Sequence, residues 1–138
     1  MSSDGYSGDI TLVVIKHPDK GEAVNGKTIC DEVRAKISGS TGQIVLMHNA
    51  TGMQTANSAY AAEFKQLDKD TAERVIEIIA AIPGSIPRMM AHTVAMFSDK
   101  SWSIFKGIDE AVTYLGSKGF PVSAAQLDNG DTVTMVKR

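Results

Sequence analysis

The chain has 138 residues, of which 43% are hydrophobic and 22% are charged, and this length and composition predict one globular domain. With 14 Lys and Arg residues against 16 Asp and Glu residues, the formal net charge is -2, so the chain lacks the basic character of proteins that bind nucleic acid. No apolar run approaches the roughly 18 residues that cross a bilayer, and we expect no transmembrane segment.

The N-terminal segment MSSDGYSGD is polar and contains no Lys or Arg, so it does not match a secretory signal. We expect residues 1–8 to be disordered. The single cysteine, Cys30, cannot form an internal disulfide, which favours a reducing, cytoplasmic location.

Three elements are predicted in the first third of the chain. Residues 10–15 are rich in β-branched side chains and indicate a strand, which the HPDKG turn at 17–21 ends. A helix is predicted from Thr28, where a T-x-x-D start precedes apolar residues at four-residue spacing. The apolar run at 43–47 lacks alternation, which is typical of a strand buried on both faces.

The middle of the chain holds a second helix and an ambiguous segment. Tyr60, Phe64 and Leu67 have helical spacing, with Thr55 or Asn57 as the candidate N-cap. Residues 73–82 contain four isoleucines, and periodicity alone does not distinguish a buried helix from a buried strand. We predict a strand, because the neighbouring elements then alternate between strand and helix and share one sheet.

A third helix, a fourth strand and a fourth helix follow. Ser85 is the predicted N-cap of the third helix, and Met90, Val94 and Phe97 lie on its apolar side. Residues 101–105 indicate a strand that could lie at a sheet edge, with Trp102 on it. The helix at 108–115 begins with acidic residues, which suit the dipole at a helix start.

The last segment predicts a β-hairpin, with strands at 122–127 and 132–136 around the DNGD sequence at 128–131. Asn-Gly favours the type I′ turn of tight hairpins. An isolated hairpin is marginal in water, so it must dock on its own sheet or exchange with a second copy. We favour the exchange, which predicts a homodimer. The fold class expected for the chain is therefore α/β, with a mixed, mostly parallel sheet, about four helices and a C-terminal hairpin.

The order of elements between residues 43 and 115 resembles a known superfamily. One strand ends in NATGM (49–53) before a helix, the next ends in IPGS (82–85) before a helix with PRMM (87–90), and a short strand leads into IDEAVTYL (108–115). This order is similar to that of the STAS-like superfamily, the domain of sulfate transporters and anti-sigma-factor antagonists, and in particular to its small stand-alone bacterial members. The resemblance implies a STAS-like core over residues 9–118 and a non-catalytic regulatory or protein-binding role.

The chain departs from the regulatory members of that superfamily at their phosphorylation site. Those members carry an Asp-Ser pair after the second strand, and this chain has no such pair in the corresponding segment at 52–58. Thr55 and Ser58 are the hydroxyl side chains of that segment. The phospho-switch that the resemblance implies therefore carries over to these two residues only weakly.

No constellation of residues predicts catalysis, a metal or a cofactor. His17, His48 and His92 have no Cys, carboxylate or further His at ligand spacing, and the Walker, Rossmann and nucleophile-elbow motifs do not occur. Cys30 lies on the apolar side of the first predicted helix, where a thiol usually behaves as a small hydrophobe. We therefore expect neither a metal nor a cofactor.

The sequence contains one candidate anion-binding site. Ser85, Arg88 and His92 lie in the first two turns of the third predicted helix, and helix starts attract anions through free N–H groups and the dipole. The alternative is an exposed Arg88 paired with a carboxylate, and we favour that alternative.

Glycines follow three predicted strands, in the pairs Thr51-Gly52, Pro83-Gly84 and Lys106-Gly107. If those strands are parallel, the turns share the sheet edge where open α/β folds bind ligands. The leading hypothesis is a regulatory or protein-binding domain. The alternative is a carrier or sensor of a small apolar, lipid-like or anionic ligand, favoured by the methionine-rich third helix and testable as an apolar cavity beneath Met90 and Phe97. An enzyme that uses Ser85, Arg88 and His92 is the least favoured hypothesis.

Overall fold

The computed structural model describes residue 6, residues 8–96 and residues 98–135, in which seven strands and five helices occur. The strands are β1 (Ile10–Lys16), β2 (Lys20–Gly21), β3 (Gln43–Asn49), β4 (Thr55–Ala56), β5 (Val75–Ala81), β6 (Ser101–Phe105) and β7 (Val133–Met135). The helices are α1 (Ala23–Ser38), α2 (Ser58–Asp70), α3 (Ser85–Met96), α4 (Ile108–Ser117) and α5 (Ala124–Asn129). None of these helices is long and apolar enough to cross a bilayer.

The architecture is a five-stranded sheet with helices on both faces. The strand order is β6-β5-β3-β1-β7, in which β1, β3, β5 and β6 run parallel and β7 pairs antiparallel with β1. The two short strands β2 and β4 pair separately. The predicted α/β class with a mixed, mostly parallel sheet is confirmed.

The three central strands are mainly apolar because each is covered on both faces. On one face, α1 and α2 contribute Cys30, Val33, Tyr60, Phe64 and Leu67 to a core with the alternate strand residues, and α3 packs beside it. On the other face, α4 and α5 bury apolar side chains against the remaining strand residues.

The ambiguous segment at 73–82 forms β5, as predicted. It lies between β3 and β6 and pairs in parallel with both, so it is a central strand. A bulge in β5 opposite Ile44 and Val45 shifts the register of the pairing with β3. The side chains of Ile76 and Glu77 therefore depart from the strict alternation between the two faces of the sheet.

Helix α1 begins at Ala23, five residues before the predicted start at Thr28. The Glu22 N–H donates to the Asn25 Oδ1 over 2.8 Å, and this side chain defines the helix start. Gly26 inside the helix lets the Tyr60 ring of α2 approach, because a Cβ there would lie 3.0 Å from that ring. The local Glu22–Asn25 cap therefore explains the early start, and Gly26 allows the close packing of α1 on α2.

The predicted C-terminal hairpin is wrong in its first half. Residues 124–129 form α5, because Ser123 accepts a hydrogen bond from the Gln126 N–H while the Gln126 side chain accepts from the Ser123 N–H, a reciprocal cap. Gly130 has φ 76° and ends this helix, so the Asn-Gly pair is a helix C-cap and not a hairpin turn. The predicted second strand does form, as β7, and pairs with β1 of the same chain.

Some expectations fall on residues outside the description: the predicted disorder of residues 1–5 and 7, the packing of Phe97, and the end of the last strand at residue 136. Tyr6 is described and is held in place, contrary to the prediction for residues 1–8. Its N–H donates to the Lys118 oxygen over 2.9 Å, and the Tyr6 and Tyr114 hydroxyls both donate to the buried Glu77 carboxylate.

The cap of α5 gives a direct test of the corrected C-terminal fold. Ser123→Ala is expected to lower the free energy of unfolding by about 1 kcal/mol, since it leaves helix N–H groups without a partner. Ser38→Ala, at an exposed position in the last turn of α1, is the control and should stay within about 0.5 kcal/mol of the wild type. Urea denaturation measures both. Equal values for the two variants would contradict the cap.

Candidate functional site

Because β1, β3, β5 and β6 are parallel, their carboxyl ends meet at one edge of the sheet. The turns Thr51-Gly52, Pro83-Gly84 and Lys106-Gly107 follow β3, β5 and β6 at this edge, in the arrangement that the sequence predicts for parallel strands. Open α/β sheets bind ligands outside the carboxyl ends of their strands.

A cleft lies at this edge, on the face of the sheet that α2 and α3 cover. Its empty volume is about 430 Å³, counting the part that is open to solvent. Fourteen of the described residues line it, and Lys, Arg, Asp and Glu are not among these fourteen. Pro87, Met90 and Val94 of α3 form one wall, so an apolar cleft lies beneath Met90, while Phe97, the other residue of the sequence hypothesis, is outside the described residues.

Four polar rings, from His17, His48, Tyr60 and Trp102, contribute to the otherwise apolar lining. The Tyr60 hydroxyl lies 2.5 Å from His17 Nδ1, and His17 Nε2 lies 2.8 Å from His48 Nδ1. Phe64 packs against both imidazoles, with ring centroids 5.0 and 5.6 Å away. The hydroxyl and the two imidazoles therefore form one continuous hydrogen-bonded chain, which we call the Tyr–His–His chain.

The Tyr–His–His chain ends against Trp102. The His48 ring stacks on the indole, with centroids 5.3 Å apart and planes 14° apart. His48 Nε2 and Trp102 Nε1 are both buried, and neither has a hydrogen-bond partner among the described residues. A buried polar group without a partner costs about 1–3 kcal/mol, so two such atoms at one cleft are unusual.

The cleft is uncharged at neutral pH. Burial lowers the pKa of His17 well below its usual value, and the neighbouring His48 lowers it further. Burial lowers the pKa of His48 to about 4. Burial also raises the pKa of the Tyr60 hydroxyl, which stays protonated. Both imidazoles are therefore neutral, and each has one N–H donor and one acceptor nitrogen.

The register of the sheet brings the two histidines together. His48 is paired with Ile15 of β1, and His17 follows two residues after Ile15, so both rings lie on the same face of adjacent strands. The His17 N–H donates to the Asn49 oxygen over 2.9 Å, which continues the ladder past the end of β1. Ala80 is the β5 partner of His48, and its small side chain leaves space for the imidazole to stack on Trp102.

Helix α2 supplies the tyrosine. Asn57, one of the two predicted caps, is its N-cap and accepts a hydrogen bond from the Tyr60 N–H over 2.8 Å. This cap places Tyr60 in the first turn of α2, within reach of the end of β1. The sequence pattern suggested only a metal-ligand role to test for His17 and His48, and it did not predict this arrangement. One sequence feature could have indicated the arrangement, because His17 and His48 each lie just after the end of a predicted strand.

The predicted anion-site residues lie beside the cleft and do not line it. Arg88 Nη1 donates to the Ile82 and Pro83 oxygens over 3.2 and 3.1 Å, so the guanidinium is turned back toward the end of β5. Among the described residues, Arg88 has no carboxylate within ion-pair distance, so the favoured alternative of an Arg–carboxylate pair is not found. Ser85 and His92 are exposed, and Ser85, the predicted N-cap, is instead the first residue of α3.

The two candidate phosphorylation positions are both exposed. Thr55 lies in β4 and Ser58 is the first residue of α2, with the capping Asn57 close by. Cys30 is fully buried, and burial raises the pKa of its thiol to about 12, as expected for a structural cysteine. No group of three His, Cys, Asp or Glu side chains suited to a metal occurs within residues 8–96 and 98–135.

Comparison of the chain with protein-family models, curated proteins and solved structures found no match. The fold and the site therefore define the class of protein: an α/β domain with an apolar, uncharged cleft at the carboxyl edge of its parallel strands. Its function is argued below from the chemistry of that cleft.

The anion site can be tested with inorganic phosphate. If phosphate binds at the start of α3, it should raise the thermal midpoint in a concentration-dependent way, because a ligand that binds only the folded state stabilises it. Arg88→Ala should abolish this rise, while Arg34→Ala, which removes a cation from α1, should not. A midpoint that phosphate leaves unchanged in the wild type would contradict the anion site.

The histidine pKa values predict how stability depends on pH. As the pH falls from about 6.5 to 4, the histidines of the unfolded chain take up protons that buried His17 and His48 do not. The free energy of unfolding should therefore decrease as the pH is lowered, by about 1.4 kcal/mol per pH unit for each histidine. A His17→Gln/His48→Gln variant should lose this part of the slope, whereas His92→Gln, at an exposed position, should keep it.

Asp68 works in the opposite direction in this pH range. Burial raises its carboxyl pKa to about 7, so the folded state gains a proton there as the pH falls. Asp68 is present in the wild type and in both histidine variants. Its contribution therefore cancels when their slopes of the free energy of unfolding against pH are compared. Urea denaturation at several pH values measures the slopes, and equal slopes in wild type and double variant would show that the two histidines titrate normally.

Proposed function

We propose that this protein is a non-catalytic domain that carries or senses a small, largely apolar ligand in the cleft. The observation that carries the proposal is the cleft itself, an apolar and uncharged pocket at the ligand-binding edge of the sheet with two unpartnered ring nitrogens in its wall. Such a pocket favours uncharged ligands, since none of its lining residues is an acid, a lysine or an arginine.

A regulatory role is part of the same proposal. The alternating order from β3 to α4 supports the relation to STAS-like regulatory domains that the sequence resemblance suggests. An enzyme built on Ser85, Arg88 and His92 has less support, because the Arg88 guanidinium donates to backbone oxygens and the Ser85 and His92 side chains form no acid–base pair with it. A cytoplasmic location is also proposed, with the single, buried thiol of Cys30 as its support.

Helix α3 supports a second candidate function, the binding of a protein partner. Its inner side lines the cleft, while Ile86, Met89 and Met96 on its outer side are 60%, 69% and 80% exposed. Arg88 is the one Lys, Arg, Asp or Glu residue in this helix, and it is turned toward the end of β5, so the outer side suits an equally uncharged, apolar surface. A second copy of this chain presents such a surface, and we propose a two-fold dimer through α3.

The ligand proposal is tested by a pair of matched variants. Cumene, a small uncharged hydrocarbon, should bind saturably and shift the indole N–H signal of Trp102, which is the only tryptophan. Ala61→Leu fills the cleft and should weaken binding by at least about tenfold, whereas Ala62→Leu, at the exposed neighbouring position, should stay within about twofold. If neither cumene nor a polar molecule of the same size shifts this signal, the proposed function is wrong.

Native mass spectrometry of the purified protein examines both candidates together. A small molecule that co-purifies with wild type but not with Ala61→Leu supports the carrier or sensor. A dimer that Met89→Glu converts to a monomer supports the α3 interface, because a charge there would be buried in the dimer. A wild-type protein that stays monomeric at high concentration would contradict that interface.

A further inference from the structure

The two unpartnered nitrogens of the cleft define the chemistry of its ligand. Trp102 Nε1 always carries hydrogen, so it is a donor without an acceptor. His48 Nε2 is a donor or an acceptor according to the tautomer of its ring. The tautomer depends on the direction in which the Tyr–His–His chain donates its hydrogen bonds.

In one direction, the Tyr60 hydroxyl donates to His17 Nδ1 and His17 Nε2–H donates to His48 Nδ1. His48 then carries its hydrogen on Nε2. This direction uses the hydroxyl hydrogen and both acceptor nitrogens of the chain, and it leaves a single polar group unmet, the His48 Nε2–H.

In the reverse direction, His48 Nδ1–H donates to His17 Nε2 and His17 Nδ1–H donates to the Tyr60 oxygen. The Tyr60 hydroxyl hydrogen then has no acceptor among the described residues, and His48 Nε2 has no donor. Tyr60 is only 3% exposed, so this hydroxyl is also shielded from water. The reverse direction leaves two unmet groups instead of one, and the first direction is therefore the more stable.

His48 Nε2–H and Trp102 Nε1–H are therefore two N–H donors on stacked rings whose centroids are 5.3 Å apart. Both rings belong to the cleft lining, and both nitrogens are buried without a partner among the described residues, so a ligand that reached them would meet two unused donors. A ligand acceptor recovers the free energy that the unpaired donors cost.

The charge of the ligand follows from the same lining. Transfer of an anion into the cleft would require a cationic partner, because an ionised group loses its hydration on burial. The lining contains no Lys or Arg, and both imidazoles are neutral. A neutral acceptor, such as a carbonyl oxygen, meets the two donors without that cost.

We propose that the ligand is a small, uncharged molecule with an apolar body and a carbonyl-type acceptor that His48 Nε2–H and Trp102 Nε1–H bind. This inference rests on the proposed function and specifies the ligand class for the same cleft. It also assigns Tyr60 and His17 as positioning residues, because they fix the tautomer of His48 without contacting the acceptor.

The test uses three probes of equal heavy-atom number: cumene, which has no acceptor, acetophenone, which has a neutral carbonyl, and benzoate, which is anionic. Acetophenone should move the Trp102 indole N–H signal downfield, in the direction of a stronger hydrogen bond, whereas the shift that cumene causes should lack this downfield component. Benzoate should not bind at neutral pH. Nitrogen chemical shifts of the imidazoles should identify His48 in the free protein as the tautomer with hydrogen on Nε2.

Variants separate the donors from the apolar part of the cleft. His48→Phe keeps the stack on Trp102 and removes one donor, so it should weaken acetophenone binding by about tenfold and change cumene binding by less than about twofold. Tyr60→Phe should change the imidazole shifts of His48 and weaken acetophenone more than cumene, since the chain loses its first donor. If His48→Phe fails to fold, the indole and imidazole shifts of the wild type still decide the question.

The outcomes distinguish this inference from the proposed function. If both neutral probes bind but His48→Phe weakens them equally, the cleft binds apolar ligands and the acceptor is not recognised, which overturns this inference alone. A His48 tautomer with hydrogen on Nδ1 also overturns it. If no probe binds, the proposed function fails with it.

Discussion

The parallel pairing of β1 with β3 is the constraint on which the rest of the site depends. It aligns Ile15 with His48 and brings the ring of His17, two residues further, to the same face of the neighbouring strand. A shift by one residue would turn one of the two rings to the opposite face, because side chains alternate along a strand. The apolar residues of both strands oppose such a shift, since each strand is buried on both faces and any slip would displace a packed core.

Burial then gives the two histidines their chemistry. In water an imidazole titrates near neutral pH, but here desolvation keeps both rings neutral. A neutral imidazole has one donor and one acceptor nitrogen, and two of them in series with the Tyr60 hydroxyl form a chain with a direction. This burial favours an uncharged ligand in the pocket. It also leaves His48 Nε2 and Trp102 Nε1 without a hydrogen-bond partner among the described residues. Apolar space and unmet donors together distinguish this cleft from a packing defect, which would be apolar alone.

Helix α3 connects the cleft with the molecular surface. Met90 and Val94 contact the space that a ligand would occupy, and Met89 and Met96 face outward on the same helix. A ligand that displaces the inner side chains would shift the outer ones as part of one rigid element. In a sensor, the exposed face is where a partner would detect that the cleft is occupied, so the two candidate functions are compatible. Methionine suits both sides, since its flexible side chain adapts to different neighbours.

The sequence alone determined those features of this protein that depend on short stretches of the chain. The apolar runs at 43–47 and 73–82 predicted buried segments, and the alternation of strand and helix predicted that both are strands of a mostly parallel sheet whose turns share one edge. These features follow from composition over a short window and from the rule that neighbouring strands share a sheet. Asn57 was recognised as a candidate cap for the same reason, because caps are local.

Tertiary structure decided everything that depends on contacts between distant residues. The close approach of the Tyr60 ring to Gly26 is one such contact. The starts of α1 and α5 are different, because local caps, Glu22–Asn25 and Ser123–Gln126, define them and the sequence-based prediction missed both. The site is the clearest case. Three of its polar rings lie at positions 17, 48 and 60, and their spacing matches no motif. Strand register and one helix start bring them into hydrogen-bond contact, and these are properties of packed elements and not of any single stretch of chain.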